Sequence, residues 1–361
     1  MERLYDKLKA YSESDFYAFH MPGHKRNKAL LGIELPYDLD ITEIDGFDDL
    51  HHADGILKEE QERAARVFGA EESHFLVNGS TAGILSAVMG CTHRGDKILV
   101  ARHCHKSIYH AIYMNGLVPR YVYPEFDISM HMNGEISKED VAKALAAEPD
   151  IKAVVIVSPN YDGVVSDVKG IAEVAHSYRI PLIVDEAHGP HFGFHPAFPG
   201  RANDLGADVV INSLHKTLPS LTQTAILHIN GKIVNRRRIK KYLDMLQSSS
   251  PSYIFMASLD ACVDFVDGKC ENAFELYVER LQKFREELKP LQHLQILRTE
   301  HYDISKVVIS TANANITSPE LTDRLRKEYH LEMEMTGGTY VLAMTTVADT
   351  QEGLDRLKAA L

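Results

Sequence analysis

The runs KAVVIVSP (residues 152–159), PLIVDEAH (181–188) and ADVVINSLH (207–215) decide the fold of this chain. Each run is rich in Val and Ile and is apolar without alternation, which is typical of a strand covered on both faces. The segments between the runs have the pattern of helices. Strands that alternate with helices predict an α/β fold, a mostly parallel sheet with helices on both faces.

Four more apolar runs extend the predicted sheet to seven strands: SHFLVNG (73–79), KILVA (97–101), PRYVY (119–123) and TAILHI (224–229). Helix-end signals between the runs support the alternation of strands and helices. Ser137 precedes the helical run VAKALAA, and its hydroxyl can accept from the amide three residues on, as a helix cap does. Gly116 ends another predicted helix, because glycine tolerates a positive φ.

The chain divides into three predicted parts. Residues 1–50 mix Pro, Gly, His and acids without clean periodicity, and we predict an N-terminal arm with active-site loops. Residues 51–262 form the predicted large, cofactor-binding domain. Near residue 265 the pattern changes to a long amphipathic run, ENAFELYVERLQKFREELKP, followed by the strand-like runs KVVIS and YVLAMT. We therefore predict a small α+β domain over residues 263–361.

Composition excludes several classes of protein. The chain has 361 residues, 45% of them hydrophobic and 25% charged, which is ordinary for globular proteins. The net charge of −12 argues against a nucleic-acid binder, whose surface is usually basic. The basic run KIVNRRRIKK (232–241) could touch RNA, but we interpret it as the solvated face of a helix opposite Ile239.

The sequence also bears on cellular location. The first residues are charged and include no apolar signal region, and no run of 18 apolar residues occurs. We therefore predict neither export nor membrane insertion. The four cysteines form no CxxC pair, so a disulfide framework is not expected. The predicted location is the cytoplasm.

Lys216 follows the third apolar run, at the end of a predicted strand. Lysine is almost never buried without a partner, because desolvating an ammonium costs several kcal/mol. Burial lowers the pKa of the amine and makes it nucleophilic toward aldehydes. Taken alone, such a lysine more often extends its amine into solvent. Asp185, however, ends the neighbouring predicted strand, and an open parallel sheet binds its ligand at the carboxyl ends of strands.

The turn NGST (residues 78–81) lies between a predicted strand and a predicted helix. Free amides and hydroxyls at a helix N-terminus bind anions, although a plain N-cap is about as common. The Walker sequence GxxxxGK[ST] is missing, and no GxGxxG follows a strand. Together with Asp185 and Lys216, this turn supplies what pyridoxal phosphate requires: an anion site, a carboxylate for the ring nitrogen and an amine for the aldehyde.

Six sequence blocks resemble those of the bacterial ornithine/lysine/arginine decarboxylase family, whose members are fold-type I pyridoxal-phosphate enzymes. The blocks are FHMPGHKR (19–26), FLVNGSTAGILSAV (75–88), CHKSIYHAI (104–112), VDEAHGPHFGFHP (184–196), SLHKTLPSLTQTA (213–225) and QSSSPSYIFMASLDA (247–261). The likeness runs from about residue 3 to residue 260 and continues more loosely beyond. It implies the fold-type I architecture and the cofactor pyridoxal phosphate.

The resemblance implies roles for the residues that match these blocks. Lys216 would hold the aldehyde of the cofactor as a Schiff base, and Asp185 would pair with the ring nitrogen. His105 would stack on one face of the ring and completes the predicted catalytic set. Ala187 and His188 would line the other face.

The phosphate of the cofactor has its own implied ligands. These are Gly79, Ser80, Thr81, Ser213 and His215. Ser248 would reach the phosphate of the neighbouring subunit, since the active sites of the family lie at a dimer interface. We therefore expect a homodimer or a higher homo-oligomer with shared active sites.

The chain departs from the family pattern in two places. The family usually has Ser-Thr-His-Lys where this chain has Leu214 in the second position, and we expect that side chain to face away from the ring. Family members generally extend beyond the small domain, whereas this chain ends at Leu361. We expect cofactor chemistry to survive that difference, while substrate recognition and the reaction itself stay open.

Two other groups of residues were weighed for a functional role. Two sets of histidines and cysteines suggest a metal site. They lack the HExxH or paired CxxC spacing of familiar zinc sites, so we predict no metal site. These residues are His188, His191 and His195, and also Cys91, His93, His103, Cys104 and His105.

We interpret the N-terminal acids as solvated, charged loop residues, although one could pair with a cationic substrate. They are Asp40, Glu43, Asp45, Asp48 and Asp49.

The leading hypothesis is a cytoplasmic decarboxylase of arginine, lysine or ornithine that gives the amine and CO₂. The bond that breaks at the α-carbon depends on its angle to the ring, which the sequence blocks do not fix, so an aminotransferase or another lyase is the alternative. A non-catalytic or regulatory cofactor-binding protein is the hypothesis from another class, and a metal-dependent hydrolase stands third.

Overall fold

The structure, a computed structural model, describes residues 2–128 and 130–361. The strands are β1 (Glu72–Leu76), β2 (Lys97–Ala101), β3 (Val118–Val122), β4 (Phe126–Asp127), β5 (Met132–Asn133), β6 (Ile151–Val157), β7 (Leu182–Asp185), β8 (Val209–Asn212), β9 (Ala225–Ile229), β10 (Gln295–Leu297), β11 (Lys306–Ser310), β12 (Met335–Thr336) and β13 (Tyr340–Met344). The helices are α1 (Leu4–Ser12), α2 (Ile56–Val67), α3 (Gly79–Cys91), α4 (Lys106–Asn115), α5 (Lys138–Ala147), α6 (Val168–Ser177), α7 (Leu214–Thr217), α8 (Arg236–Leu246), α9 (Tyr253–Val266), α10 (Glu271–Glu287), α11 (Ser318–Tyr329) and α12 (Gln351–Ala360).

A seven-stranded sheet forms the centre of the large domain, in the order β1-β9-β8-β7-β6-β2-β3. Its members are the strands predicted from the seven apolar runs. Strand β9 runs antiparallel to both neighbours, and the other strands share one direction. Every residue of β7, β8 and β9 is buried, which is why these runs are apolar without alternation. The prediction of a mostly parallel α/β sheet is confirmed.

Helix α3 lies close against the sheet because Gly83 has no side chain. A Cβ at this position would lie 2.6 Å from Leu76 Cδ1 and 3.4 Å from Ile211 Cγ2. The first turns of α3 therefore pack over the carboxyl ends of β1 and β8. This contact brings the NGST turn, at the start of α3, to the edge of the sheet where β8 ends.

Local signals in the sequence correspond to the observed helix ends. Ser137 caps α5, its hydroxyl accepting from Asp140 N at 3.2 Å, and Gly116 ends α4 with φ 59°. Helix α8 carries the basic run and buries Ile239 completely, so the interpretation of this run as a solvated helix face is confirmed.

The small domain contains a four-stranded antiparallel sheet in the order β10-β11-β13-β12, together with α10, α11 and α12. Residues 271–360 thus form the mixture of helices and antiparallel strands that the sequence predicts for this part of the chain. The proposed boundary at residue 262 falls inside α9, which continues to Val266. The three-part division of the chain stays a prediction.

The N-terminal segment contains a helix that the sequence reading missed. Leu4 and Leu8 are fully buried on one face of α1. Arg3 donates to Asp260 of α9 at 3.0 Å, and Asp260 also accepts from Arg63 of α2 at 2.6 Å. This buried ion network ties the arm to the large domain.

In the described part of the chain, none of the helices has both the length and the apolar character needed to cross a membrane. The same residues include no group of three or more His, Cys, Asp or Glu side chains arranged to hold a metal ion.

Candidate active site

Lys216 lies at the carboxyl edge of the large sheet, where β8 ends and the short helix α7 begins. Its Nζ donates to Nε2 of His188 at 2.9 Å. Burial lowers the pKa of Lys216, and the negative charge of Asp185 opposes that shift. The amine is thus close to a carboxylate and a histidine in a partly desolvated site, conditions that favour its nucleophilic form.

Asp185 is the last residue of β7, paired in register with Ile211 of the parallel strand β8. The carboxylate is 3% exposed and accepts from Ala187 N at 3.2 Å. Burial raises its pKa, while the charge of Lys216 acts in the opposite direction. A carboxylate so placed favours a cationic group beside it.

His188 connects these groups to the rest of the site. It is buried, and the ring of Tyr161 packs edge-on against it with centroids 4.8 Å apart. Burial lowers the pKa of His188 well below its ordinary value, helped by the charges of Lys306 and Lys216. A neutral ring that accepts at Nε2 carries its proton on Nδ1, which has no hydrogen-bond partner among the described residues.

The NGST turn forms the second part of the site. Gly79 has φ 72°, a conformation that favours glycine, and its amide donates to Gln223 O at 3.0 Å. The side chain of Asn78 does not cap α3, because its Oδ1 accepts from Ser248 N at 3.0 Å. The first turn of α3, with Ser80 and Thr81, is left without a side-chain cap and with its dipole available to an anion.

Two residues near Lys216 add polar groups to this edge. Ser213 is fully buried, and its Oγ has no hydrogen-bond partner in the described chain. His215 lies half-buried, with Nδ1 2.7 Å from Thr224 O. A buried hydroxyl without a partner is costly unless a ligand supplies one.

His105 and Ala187 complete the predicted ring contacts. His105 caps α4 and is exposed, with Nδ1 2.8 Å from Ser107 Oγ. Partial desolvation lowers its pKa, and the charge of Lys216 adds to that effect. Ala187 is buried directly after the Asp185 carboxylate that its amide contacts.

These residues fit pyridoxal phosphate. The chemistry of the set matches each part of the cofactor: an uncapped helix N-terminus and an unpartnered serine for the phosphate, a buried carboxylate for a protonated ring nitrogen, and a desolvated lysine for the aldehyde.

Ser248 lies beside the NGST turn of its own chain. Its amide contacts Asn78, its carbonyl oxygen is 2.8 Å from His51 Nε2, and its Oγ bonds to Ser250. The implied contact with a neighbouring subunit stays a prediction.

The residues considered for a metal have separate partners. His188 contacts Lys216, whereas Nδ1 of His191 lies 2.9 Å from Thr217 Oγ1 and Nε2 of His195 lies 3.0 Å from Glu275. Their sequence proximity therefore does not bring them to one ion.

The N-terminal acids considered for substrate binding have local partners. Asp48 accepts from the amides of Gly55 and Leu57, and Asp49 accepts from the amide of His51. Asp40 lies 3.2 Å from His24. These contacts favour the interpretation of these three acids as loop-forming residues.

The sequence reading missed three residues close to this edge. Tyr161 donates to Glu334 of the small domain, and Lys306 is fully buried at the start of β11. The one sequence signal for Lys306 was its position as the first residue of the apolar run KVVIS. This pattern does not predict whether the amine is buried, because burial of a strand end depends on tertiary packing.

Comparison with known proteins gives consistent results. A family model described as "Orn/Lys/Arg decarboxylase, major domain" matches residues 3–314. The arginine decarboxylase of Bacillus subtilis is 34% identical to this chain over 373 aligned positions, which cover 99% of the chain and 76% of that protein. The lysine decarboxylase LdcA of Pseudomonas aeruginosa is 29% identical, with 70% of the chain and 38% of that protein covered.

Solved structures show the same fold. The lysine decarboxylase LdcF of Francisella novicida superposes with a TM-score of 0.86 at 20% identity over 99% of this chain. The constitutive lysine decarboxylase of Escherichia coli gives a TM-score of 0.85 at 22% identity. This chain spans 59% of the length of each of these two lysine decarboxylase structures.

Proposed function

This chain belongs to the Orn/Lys/Arg decarboxylase family, and we propose that it removes the carboxylate of a basic amino acid, arginine, lysine or ornithine, as CO₂. The observation that carries the proposal is the convergence of Lys216, Asp185 and the NGST turn at one edge of the sheet. The names of the relatives support a basic amino acid as the substrate class.

Pyridoxal phosphate, when bound, supplies an electron-withdrawing ring that stabilises negative charge at the substrate α-carbon. Lys216 would bind its aldehyde, and Asp185 would keep its ring nitrogen protonated. The phosphate would be held by Gly79, Ser80 and Thr81. Further contacts would come from Ser213, His215, His105, Ala187 and His188.

The protein residues have distinct tasks in this reaction. The Asp185 carboxylate would stabilise the protonated, positively charged ring nitrogen. Electrons move toward this nitrogen during the reaction, so its stabilisation lowers the barrier. Nε2 of His188 accepts a hydrogen bond from Lys216 Nζ and so orients the amine. Since burial lowers the pKa of Lys216, its amine can give up and take back a proton at neutral pH more readily than an exposed lysine.

The test is an assay of the purified, cofactor-loaded protein with arginine, lysine and ornithine supplied singly. We expect CO₂ and the matching amine from at least one of them, and loss of both products in Lys216→Ala. Keto acid formed without CO₂ would assign the protein to the aminotransferases instead. No turnover of the three amino acids by a protein that binds the cofactor would favour the non-catalytic alternative.

We also propose a homodimer with shared active sites. The N-terminal arm exposes large apolar side chains, including Phe19 at 89%, Leu30 at 75% and Phe16 at 69%, which is unusual for a surface that stays in water. Sedimentation at micromolar concentration should give the mass of a dimer or a larger assembly, and a monomer would contradict the proposal.

We further propose that the protein works in the cytoplasm. Its four cysteines are unpaired in the described chain, and three of them are buried, as expected for a reducing compartment. Cell fractionation that recovers the protein outside the cytoplasm would contradict this location.

A further inference from the structure

Lys306 is a buried cation that the proposed chemistry does not use. It opens β11 of the small domain, its side chain is 0% exposed, and its Nζ has no hydrogen-bond partner among residues 2–128 and 130–361. A buried lysine usually has a carboxylate partner, because an uncompensated buried ammonium is strongly destabilising. The absence of a protein partner therefore requires an explanation.

The position of this side chain is fixed by its surroundings. The carbonyl oxygen of Lys306 accepts from Tyr302 OH at 2.8 Å and from Arg285 Nη2 at 2.6 Å. Gly163, in the loop after β6, has φ 104°, and a Cβ there would lie 2.8 Å from Lys306 Cγ. The loop thus leaves room for the lysine stem at the carboxyl edge of the large sheet.

The neighbouring carboxylates are already engaged by other groups. Asp303 accepts from His191 Nε2 at 3.1 Å, from Ser305 N at 2.9 Å and from Ser305 Oγ at 2.7 Å. Glu334 accepts from Tyr161 OH. Both acids act on Lys306 through their charge, but neither forms a hydrogen bond to its Nζ.

The charge of Lys306 acts on the candidate active site. It is the largest electrostatic contribution that lowers the pKa of His188, the residue in contact with Lys216. Burial lowers the pKa of Lys306 itself to about 8, and the charge of Lys216 contributes to that shift. Two amines thus lie near one histidine, and neither amine forms a hydrogen bond to a carboxylate of the described residues.

We propose that Lys306 binds the α-carboxylate of the amino-acid substrate. This inference rests on the proposed function. The substrate amine must reach the atom of the cofactor that Lys216 binds, and the carboxylate is attached to the carbon next to that amine. The carboxylate therefore enters close to Lys216 and His188, where Lys306 is the buried cation without a partner.

The proposal predicts which kinetic parameter depends on Lys306. An ammonium that pairs with the carboxylate stabilises bound substrate, but it gives no advantage once the carboxylate leaves as neutral CO₂. Removing it should therefore raise KM at least about tenfold, the typical effect of losing a charge-assisted hydrogen bond. The value of kcat should not fall, because the lost contact stabilises bound substrate more than the transition state.

The deciding experiment is calorimetric binding to the cofactor-loaded protein of two ligands that cannot react. One is the substrate analogue without its α-amino group, and the other is the same molecule without the carboxylate as well. Lys306→Met should weaken binding of the first ligand at least about tenfold and leave binding of the second within about twofold. Lys283→Met, which changes an exposed lysine of α10, serves as the matched control and should alter neither affinity.

Equal changes for the two ligands, or no change for either, would overturn the inference. Lys306→Met should retain or raise the unfolding temperature, since it replaces an unpaired buried ammonium with an apolar chain of similar length. If Lys306→Met does not fold, Lys306→Gln is measured in its place against the same outcomes. A wild-type protein that decarboxylates no basic amino acid would overturn the proposed function, whereas normal turnover with unselective binding overturns only the role of Lys306.

Discussion

At the scale of single residues, Lys216 and Asp185 depend on each other. Burial lowers the pKa of the amine and raises the pKa of the carboxyl, while the charge of each opposes the shift of the other. Each group alone would be driven toward its neutral form. Their proximity favours the charged form of each group, and the proposed pairing of Asp185 with a cationic ring nitrogen requires a charged carboxylate.

Asp185→Asn should reduce decarboxylation by roughly 10²-fold or more, because an amide cannot hold the ring nitrogen protonated where charge develops. Cofactor should still bind, since Lys216 and the NGST turn are unchanged. The measurement is initial-rate CO₂ release together with cofactor content from absorbance. Asp150→Asn is the control, because Asp150 directly precedes β6 at the opposite edge of the sheet. Activity in Asp185→Asn close to that of the control would contradict the assigned role.

Lys216 and Lys306 also show what a sequence can predict about single residues. Lys216 could be proposed as the cofactor lysine because Asp185 ends the preceding predicted strand and the family blocks contain both residues. The burial of Lys306 could not be predicted, because no neighbour in the sequence indicates that Gly163 lies against its stem or that Arg285 donates to its carbonyl oxygen. Its burial arises from packing of the small domain against a distant loop.

At the scale of elements, His191 connects the helix that carries Lys216 to the small domain. Its Nδ1 lies 2.9 Å from Thr217 Oγ1 of α7, and its Nε2 lies 3.1 Å from Asp303 Oδ1. These three residues are buried. The contact fixes α7 relative to the segment that precedes β11, and hence Lys216 relative to Lys306.

Because of Asp303, the free energy of unfolding should depend on pH in the acid range. Its pKa is lowered from 3.8 to about 2: burial opposes this shift, but His191 outweighs it, helped by Lys306 and Ser305. A carboxyl whose pKa is lower in the folded state contributes stability that is complete above its unfolded pKa and is lost as the pH falls toward its folded pKa. Asp303→Asn should therefore be less stable than wild type by about 2 kcal/mol at pH 6.

That difference should narrow as the pH falls from 4 toward 2, the interval between the two pKa values. Urea unfolding of both proteins at a series of pH values measures it. Asp349→Asn, also in the small domain, is the control; its carboxyl has a raised pKa, so its difference from wild type should not narrow on acidification. A gap between wild type and Asp303→Asn that is independent of pH would show that His191 does not stabilise the charged carboxylate.

The elements themselves differ in how well their sequences predict them. Strands β7, β8 and β9 of the large sheet were predictable because both faces are covered, so their residues are largely apolar. Helix α1 was not, because Leu4 and Leu8 are its two buried residues and the rest of its surface is polar. Strands β4, β5 and β12 have two residues each, too few for any periodicity.

At the level of the assembly, the proposed homodimer gives Ser248 two phosphates that it could contact. Ser248 lies beside Asn78 of its own chain, while the resemblance assigns it to the phosphate of the neighbouring subunit. The exposed apolar arm supplies a surface on which a second copy could pack. The geometry of the assembly determines which of the two phosphates Ser248 contacts, so the sequence pattern of one chain could not predict this contact.

Mixing two inactive variants distinguishes these arrangements. Lys216→Ala and Ser248→Ala, unfolded together and refolded, should recover roughly a quarter of wild-type activity, since random pairing gives one intact site in half of the dimers. Lys216→Ala refolded alone is the control. If Ser248 acts within its own chain, each site of a mixed dimer lacks either Lys216 or Ser248, so no activity is recovered.

The proposed role of Lys216 is tested by identifying the lysine that binds the cofactor. Borohydride treatment of the cofactor-loaded protein makes the bond between lysine and cofactor permanent, and peptide mass mapping then locates it. The assignment of Lys216 as the cofactor lysine predicts the phosphopyridoxyl group on this residue and an unmodified Lys306. Modification of Lys306 in place of Lys216, or of no lysine in a protein that retains the cofactor, would contradict it.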